Sequence, residues 1–145
     1  IAYAWRGLFV DLAPTWKAKI NKPSDVRGEI FYREELGDGL SLEVGAQPRV
    51  YRFKGYRYRP GAVELSYTLN GILVHEEISA VADGSGVIRH FRLSAPVDAW
   101  GFRVASNPTA RVSSPEASWD PARQAWRGQR VTEFQVRLDF NPAAR

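Results

Sequence analysis

Apolar and polar positions alternate along most of this chain with a period of two, the spacing of half-buried strands. The clearest case is AVELSYTLNGILVHEEI at 62–78. Val63, Leu65, Tyr67 and Leu69 alternate with Glu64, Ser66 and Thr68, and Asn70-Gly71 then supplies the two positive-φ residues of a type I′ hairpin turn. That turn sets the register: Leu69 faces Ile72, Tyr67 faces Val74 and Val63 faces Ile78. Glu76 lands opposite Leu65 and breaks the apolar face. Upstream, AYAWRGLFVDL at 2–12 is apolar on both parities, as in a strand buried on both faces or one that crosses from one packing layer to another. Residues 13–25 are loop-like, 26–34 (VRGEIFYRE) form a strand, GDG at 37–39 a turn, and 40–44 a short strand with Leu40, Leu42 and Val44 on one face. Downstream, DGSG at 83–86 turns the chain into VIRHFRLSA, Pro96 interrupts, and Trp100, Phe102 and Val104 share a face. Asp120-Pro121 sets a type I turn with Trp119 and Trp126 on its arms. The final strand alternates through Phe134, Val136, Leu138 and Phe140. About ten strands joined by turn signals, with little or no helix, predict an all-β antiparallel sandwich forming a single domain over 1–145.

The stretch RVYRFKGYRYRPG at 49–61 interleaves Tyr51, Phe53, Tyr56 and Tyr58 with Arg52, Lys54, Arg57 and Arg59. Its KGYRY resembles one of the two RNA-contacting signatures of the RRM domain. An RRM, however, needs two helices behind a four-stranded sheet, and Arg57 stands where that signature carries a small residue. Parity offers another explanation. Tyr51 and Phe53 are odd and Tyr56 and Tyr58 even, with Lys54-Gly55 between them, so one extra residue at Gly55, a β-bulge, returns all four rings to one face. The rings are then expected in the core and the four bases on a solvated face. Nucleic-acid binding is not expected, because stacking on bases needs rings and cations on the same open surface.

A chain of 145 residues with 44% hydrophobic content suits one core. Nine Pro, twelve Gly, five Trp, six Tyr and seven Phe fit short strands and turns. The net charge of +4, with a pI near 9.6, is spread along the chain rather than gathered in a tail. The absence of Cys excludes disulfides, zinc thiolate sites and covalent haem attachment within this sequence. No run approaches the roughly 18–20 apolar residues of a membrane helix, so no span is expected. The opening IAYAWRG has neither an initiator Met nor a signal peptide, as expected of a processed product, a domain of something larger or an incompletely defined sequence.

Catalytic signatures are weak. His75 and His90 are the only imidazoles, no G-x-S-x-G occurs, and none of the many carboxylate pairs is singled out. GDG and DGSG lack the further spaced acids of a calcium loop and fit plain turns. No enzyme activity, cofactor or metal is expected.

The succession AYAWRGLFVDLAPTW at 2–16, YRFKGYRY at 51–58 and the YTLNGILVHEE hairpin resembles the β-sandwich domain of large secreted bacterial proteins that also carry c-type cytochrome (haem-binding) domains. The resemblance spans nearly the whole chain, and its motifs are structural. It implies a periplasmic or extracellular setting and a non-catalytic, non-haem scaffold or interaction subunit of an electron-transfer complex. The implied partner is a cytochrome-containing or membrane-bound complex, docked on the basic residues Arg52, Lys54, Arg57 and Arg59 or on Trp16, Trp119 and Trp126. The alternative is a carbohydrate-binding module, since an exposed, coplanar row of those tryptophans would stack on sugar rings.

Overall fold

The computed structural model describes residues 3–8, 10, 11, 13, 16, 25–33, 42–44, 50–103 and 110–140. The chain is all-β and antiparallel, with strands β1 (Tyr3–Arg6), β2 (Val10–Asp11), β3 (Asp25–Val26), β4 (Glu29–Arg33), β5 (Leu42–Val44), β6 (Tyr51–Arg59), β7 (Ala62–Leu69), β8 (Ile72–Ala80), β9 (Gly86–Arg103), β10 (Ala110–Ser113), β11 (Ser118–Asp120) and β12 (Ala125–Phe140). Eight of them join in one sheet ordered β10-β12-β9-β8-β7-β6, with β11 added on β12 and β5 on β9. β1 pairs with β4 and β2 with β3 in two small sheets.

The long strands β9 and β12 make this sheet sandwich-like. They pair from Ala125↔Arg103 to Asp139↔Gly86, but between Val131↔Val97 and Glu133↔Arg92 the residues Leu93–Pro96 stand opposite Thr132 alone. Such a wide bulge bends the ribbon. Pro96 therefore interrupts pairing without ending its strand, and the two halves of the ribbon belong to two layers. One layer holds β6, β7, β8 and the first half of β9; the other holds β5, the second half of β9, the first half of β12 and β11. Aromatic rings close the space between them. Trp100 stacks on Phe134 at 3.7 Å between centroids, Phe91 on Phe134 at 4.8 Å, and Phe102 lies 6.0 Å from Phe91. Leu42, Val44, Tyr67, Leu69, Val74, Leu93, Val97 and Val136 are buried with them.

The hairpin register is the expected one at every pair, including Leu65↔Glu76, with φ of 51° at Asn70 and 82° at Gly71. Trp119↔Trp126 pair across the β11–β12 hairpin, and Phe134, Val136 and Leu138 are buried along β12. The N-terminal expectation is corrected. Residues 2–12 are not one strand buried on both faces: Gly7, at φ 88°, separates β1 from β2, and Leu8 is exposed. Likewise β3 and β4 divide at Gly28, where a side chain would strike the Arg6 and Leu8 carbonyls. The GDG turn, Leu40 and Val104 lie outside the described residues, as does most of 13–25.

The bulge in β6 is present. Its extra residue is Lys54 rather than Gly55: Phe53 pairs with Tyr67 and Gly55 with Ser66, while Gly55 adopts the positive φ of +145°, with open space where a side chain would be. The obstacle to a side chain here is the backbone, not a neighbour. Gly55→Ala and Gly55→Val are both expected to lower stability by about 1–3 kcal/mol in urea unfolding; an unchanged Ala variant would refute a strained bulge.

Candidate docking face on the edge strand

After the bulge, Tyr51, Phe53, Tyr56 and Tyr58 pair with Leu69, Tyr67, Leu65 and Val63 in turn, so all four rings lie on the face that β7 and β8 turn toward the core. The expectation that they are core residues is nonetheless wrong. They are 48%, 51%, 62% and 78% exposed. β6 is the last strand in the order of its sheet and has a strand neighbour on one side only among the described residues. Burial rises inward from it: Phe53 is half exposed, whereas Tyr67, Val74 and Leu93 in the same row are buried. Tyr51 packs on Tyr67 at 5.2 Å, and Tyr56 meets Tyr58 edge-on at 5.7 Å.

Beneath this face lies a buried polar group. Glu76, in phase with the apolar residues, accepts hydrogen bonds from Arg89 Nε at 2.7 Å and Tyr67 OH at 3.0 Å. Burial, reinforced by the Glu76 charge, pushes the Tyr67 phenol well above its ordinary pKa, and the same two causes raise Tyr51.

The reverse face of β6 is basic but not freely solvated. Glu64, 1% exposed, gathers Arg57 at 2.7 Å, Arg59 at 3.1 Å and Arg92 at 2.6 Å. Burial raises the Glu64 carboxyl, but the Arg59 hydrogen bond and the charges of Arg57 and Arg59 outweigh it and hold the group below the ordinary range. Arg59 also reaches Glu77 at 3.6 Å. Arg52 and Lys54 are exposed and form no ion pair with any described residue.

Ser66, His75 and Glu64 adjoin this cluster, yet they do not form a hydrolase relay. Ser66 Oγ, at 3.0 Å, and Glu64 Oε1, at 3.6 Å, both approach His75 Nδ1, whereas a triad needs the nucleophile and the acid on opposite ring nitrogens. His90 pairs with Glu133 at 2.7 Å. Among the described residues no three His, Asp or Glu side chains gather as a metal site requires. Asp83, in the DGSG turn, accepts from the Ser85 backbone N–H at 2.8 Å. A cleft of about 850 Å³ between Glu43, Ile72, Val97 and Arg123 has its basic groups tied, Arg127 to Glu43 and Arg123 to Asp120.

The three tryptophans do not converge into a platform. Trp16 is 78% exposed in the N-terminal region. Trp119 is partly exposed, while Trp126 packs against the core, and their rings are tilted by 57° at 5.8 Å. No helix among the described residues is long and apolar enough to cross a membrane. No protein-family model, curated protein or solved structure matches the chain.

Proposed function

We propose that this chain is a non-catalytic interaction domain that docks on a protein partner through the aromatic face of β6 and its basic reverse. One observation carries this reading: four large rings stand side by side, 48–78% exposed, on one face of an edge strand. Exposed apolar patches of this kind mark interaction sites, and tyrosine is enriched where proteins meet. The resemblance in sequence supports the setting, an exported assembly in which the partner belongs to a cytochrome-containing or membrane-bound electron-transfer complex. Sugar stacking fits less well. Tyr56 and Tyr58 are crossed at 84° and Trp119 and Trp126 at 57°, so neither pair offers a common plane.

Arg52 and Lys54 are the residues with which to test it, because Arg57 and Arg59 also hold the buried Glu64 and reversing them would disturb the fold. Binding to solubilised cytochrome-containing membrane complexes is expected to weaken from low to physiological salt, where charges are screened over about 8–10 Å. The double change Arg52→Glu/Lys54→Glu should weaken it about tenfold further, and Tyr56→Ser/Tyr58→Ser should remove it. Retention on insoluble polysaccharide instead, unaffected by salt and lost on Trp119→Ala, would replace this reading with the sugar-binding one.

A further inference from the structure

We infer that the partner enters as an extended segment in which apolar and acidic residues alternate, and that it adds as a strand to the outer edge of β6. This rests on β6 being the docking site and specifies how the site is used. β6 ends the sheet order, so one row of N–H and C=O groups along Tyr51–Arg59 has no strand partner among the described residues. Such a row is a template for another strand. An added strand must send alternate side chains to the same two faces as β6. One face offers Tyr51, Phe53, Tyr56 and Tyr58, which suits apolar side chains.

The other face requires acids. There Arg52, Lys54, Arg57, Arg59 and Arg92 meet Glu64 and Glu77, with Glu133 opposite Arg92 and paired to His90, so five bases face three acids and positive charge remains in excess. The same charges disfavour a second copy of this chain as the occupant. Two β6 strands paired about a two-fold axis would set this row of bases against itself, and residues 49–62 contain no acid to relieve it. The bulge at Lys54 breaks the edge, so the longer regular run is Tyr56–Arg59, which carries the two most exposed rings. The incoming strand registers there, with apolar side chains beside Tyr56 and Tyr58 and carboxylates beside Arg57 and Arg59.

The probe is a capped peptide of β6's length in which Ile and Glu alternate, used where it remains monomeric, with binding to the whole chain followed by fluorescence anisotropy. The Glu peptide should bind, and a Lys-for-Glu counterpart should bind more than about tenfold more weakly. Two further peptides carry N-methyl groups, one on the odd residues and one on the even. Strand addition uses the N–H groups of one parity, so one of these should lose binding and the other keep it. Equal binding by both would overturn strand addition while leaving the docking face intact. Failure of the Glu peptide to bind, or equal binding by the Lys peptide, would overturn the acidic class. Peptide binding that survives Tyr56→Ser/Tyr58→Ser together with Arg52→Glu/Lys54→Glu would remove β6 as the site, and the proposed function with it. A dimer of the free chain that dissociates on Tyr56→Ser/Tyr58→Ser would show the edge to be occupied by its own copy, against this inference.

Discussion

Arg89→Met is expected to destabilise the domain by about 3–5 kcal/mol, the scale of leaving one member of a buried ion pair without its partner. Arg89 and Glu76 sit on the core face of β9 and β8, both almost fully excluded from solvent, with Arg89 Nε 2.7 Å from Glu76 Oε1. The guanidinium also lies 4.9 Å from the Phe102 ring centroid and 5.5 Å from that of Phe91, so its flat faces are covered by the sandwich. Methionine preserves much of the side chain's length and apolar packing but removes the charge. Glu76 then keeps only the Tyr67 hydroxyl as hydrogen-bond donor, at 3.0 Å. Replacing both partners, Arg89→Met with Glu76→Leu, should recover most of the loss, because apolar side chains of similar volume fill such a site without desolvating a charge. Urea unfolding of the two single variants and the double variant checks this. A cost below about 1 kcal/mol for Arg89→Met, or no recovery in the double variant, would mean that the pair is not buried as described.

Glu76 also marks how far the fold could be read from the sequence. Alternation together with Asn70-Gly71 specifies the β7–β8 register completely, because the turn is local and its two positive-φ positions suit few residue types. The misfit of Glu76 in that pattern was visible. Its partner was not singled out, although a signal for it exists: Arg89 falls in phase with Val87, Phe91 and Leu93, a base on an apolar parity one strand away. What sequence could not supply was the bend at Leu93–Pro96, since it depends on how far β12 runs beside β9, a pairing between residues distant in the chain. The split of 2–12 into two strands was missed for a similar reason. Gly7 has no repeating pattern around it, and its positive φ follows from the separate pairing of β1 with β4 and β2 with β3.

In the docking face, the same division separates the correct step from the incorrect one. Gly55 and the change of parity between Phe53 and Tyr56 are enough to place four rings on one side. Whether that side is covered depends on what packs over the last strand of the sheet, which alternation along β6 itself does not carry. Glu64 was legible only as a polar-face residue. Its role as the carboxylate beneath Arg57, Arg59 and Arg92 requires four strands, β6 to β9, to be in register. Arg57 and Arg59 thus belong partly to the structure, leaving Arg52 and Lys54 as the cleaner contributors to docking.

The second large effect is expected where the two layers meet. Trp100→Ala should cost about 3–5 kcal/mol, as truncating a fully buried aromatic does, because its indole stacks on Phe134 and lies against the backbone of its cross-strand partner Gly128. Gly128 is glycine for a steric reason, since it is not among the positive-φ residues. A β-carbon there would fall 2.3–2.6 Å from the indole Nε1, Cε2 and Cζ2 atoms. Phe134, at 3.7 Å, limits the indole's retreat, so Gly128→Ala should destabilise by about 1–3 kcal/mol through overpacking. In the Trp100→Ala background the sign should reverse. With the indole gone, a methyl group at position 128 enters the space it leaves, and alanine also restricts the unfolded chain more than glycine does. The double variant is therefore expected to be no less stable than Trp100→Ala alone, with a coupling as large as the whole cost of Gly128→Ala. Simple additivity in urea unfolding would show that Trp100 does not rest on Gly128 and that the layers pack differently at this point.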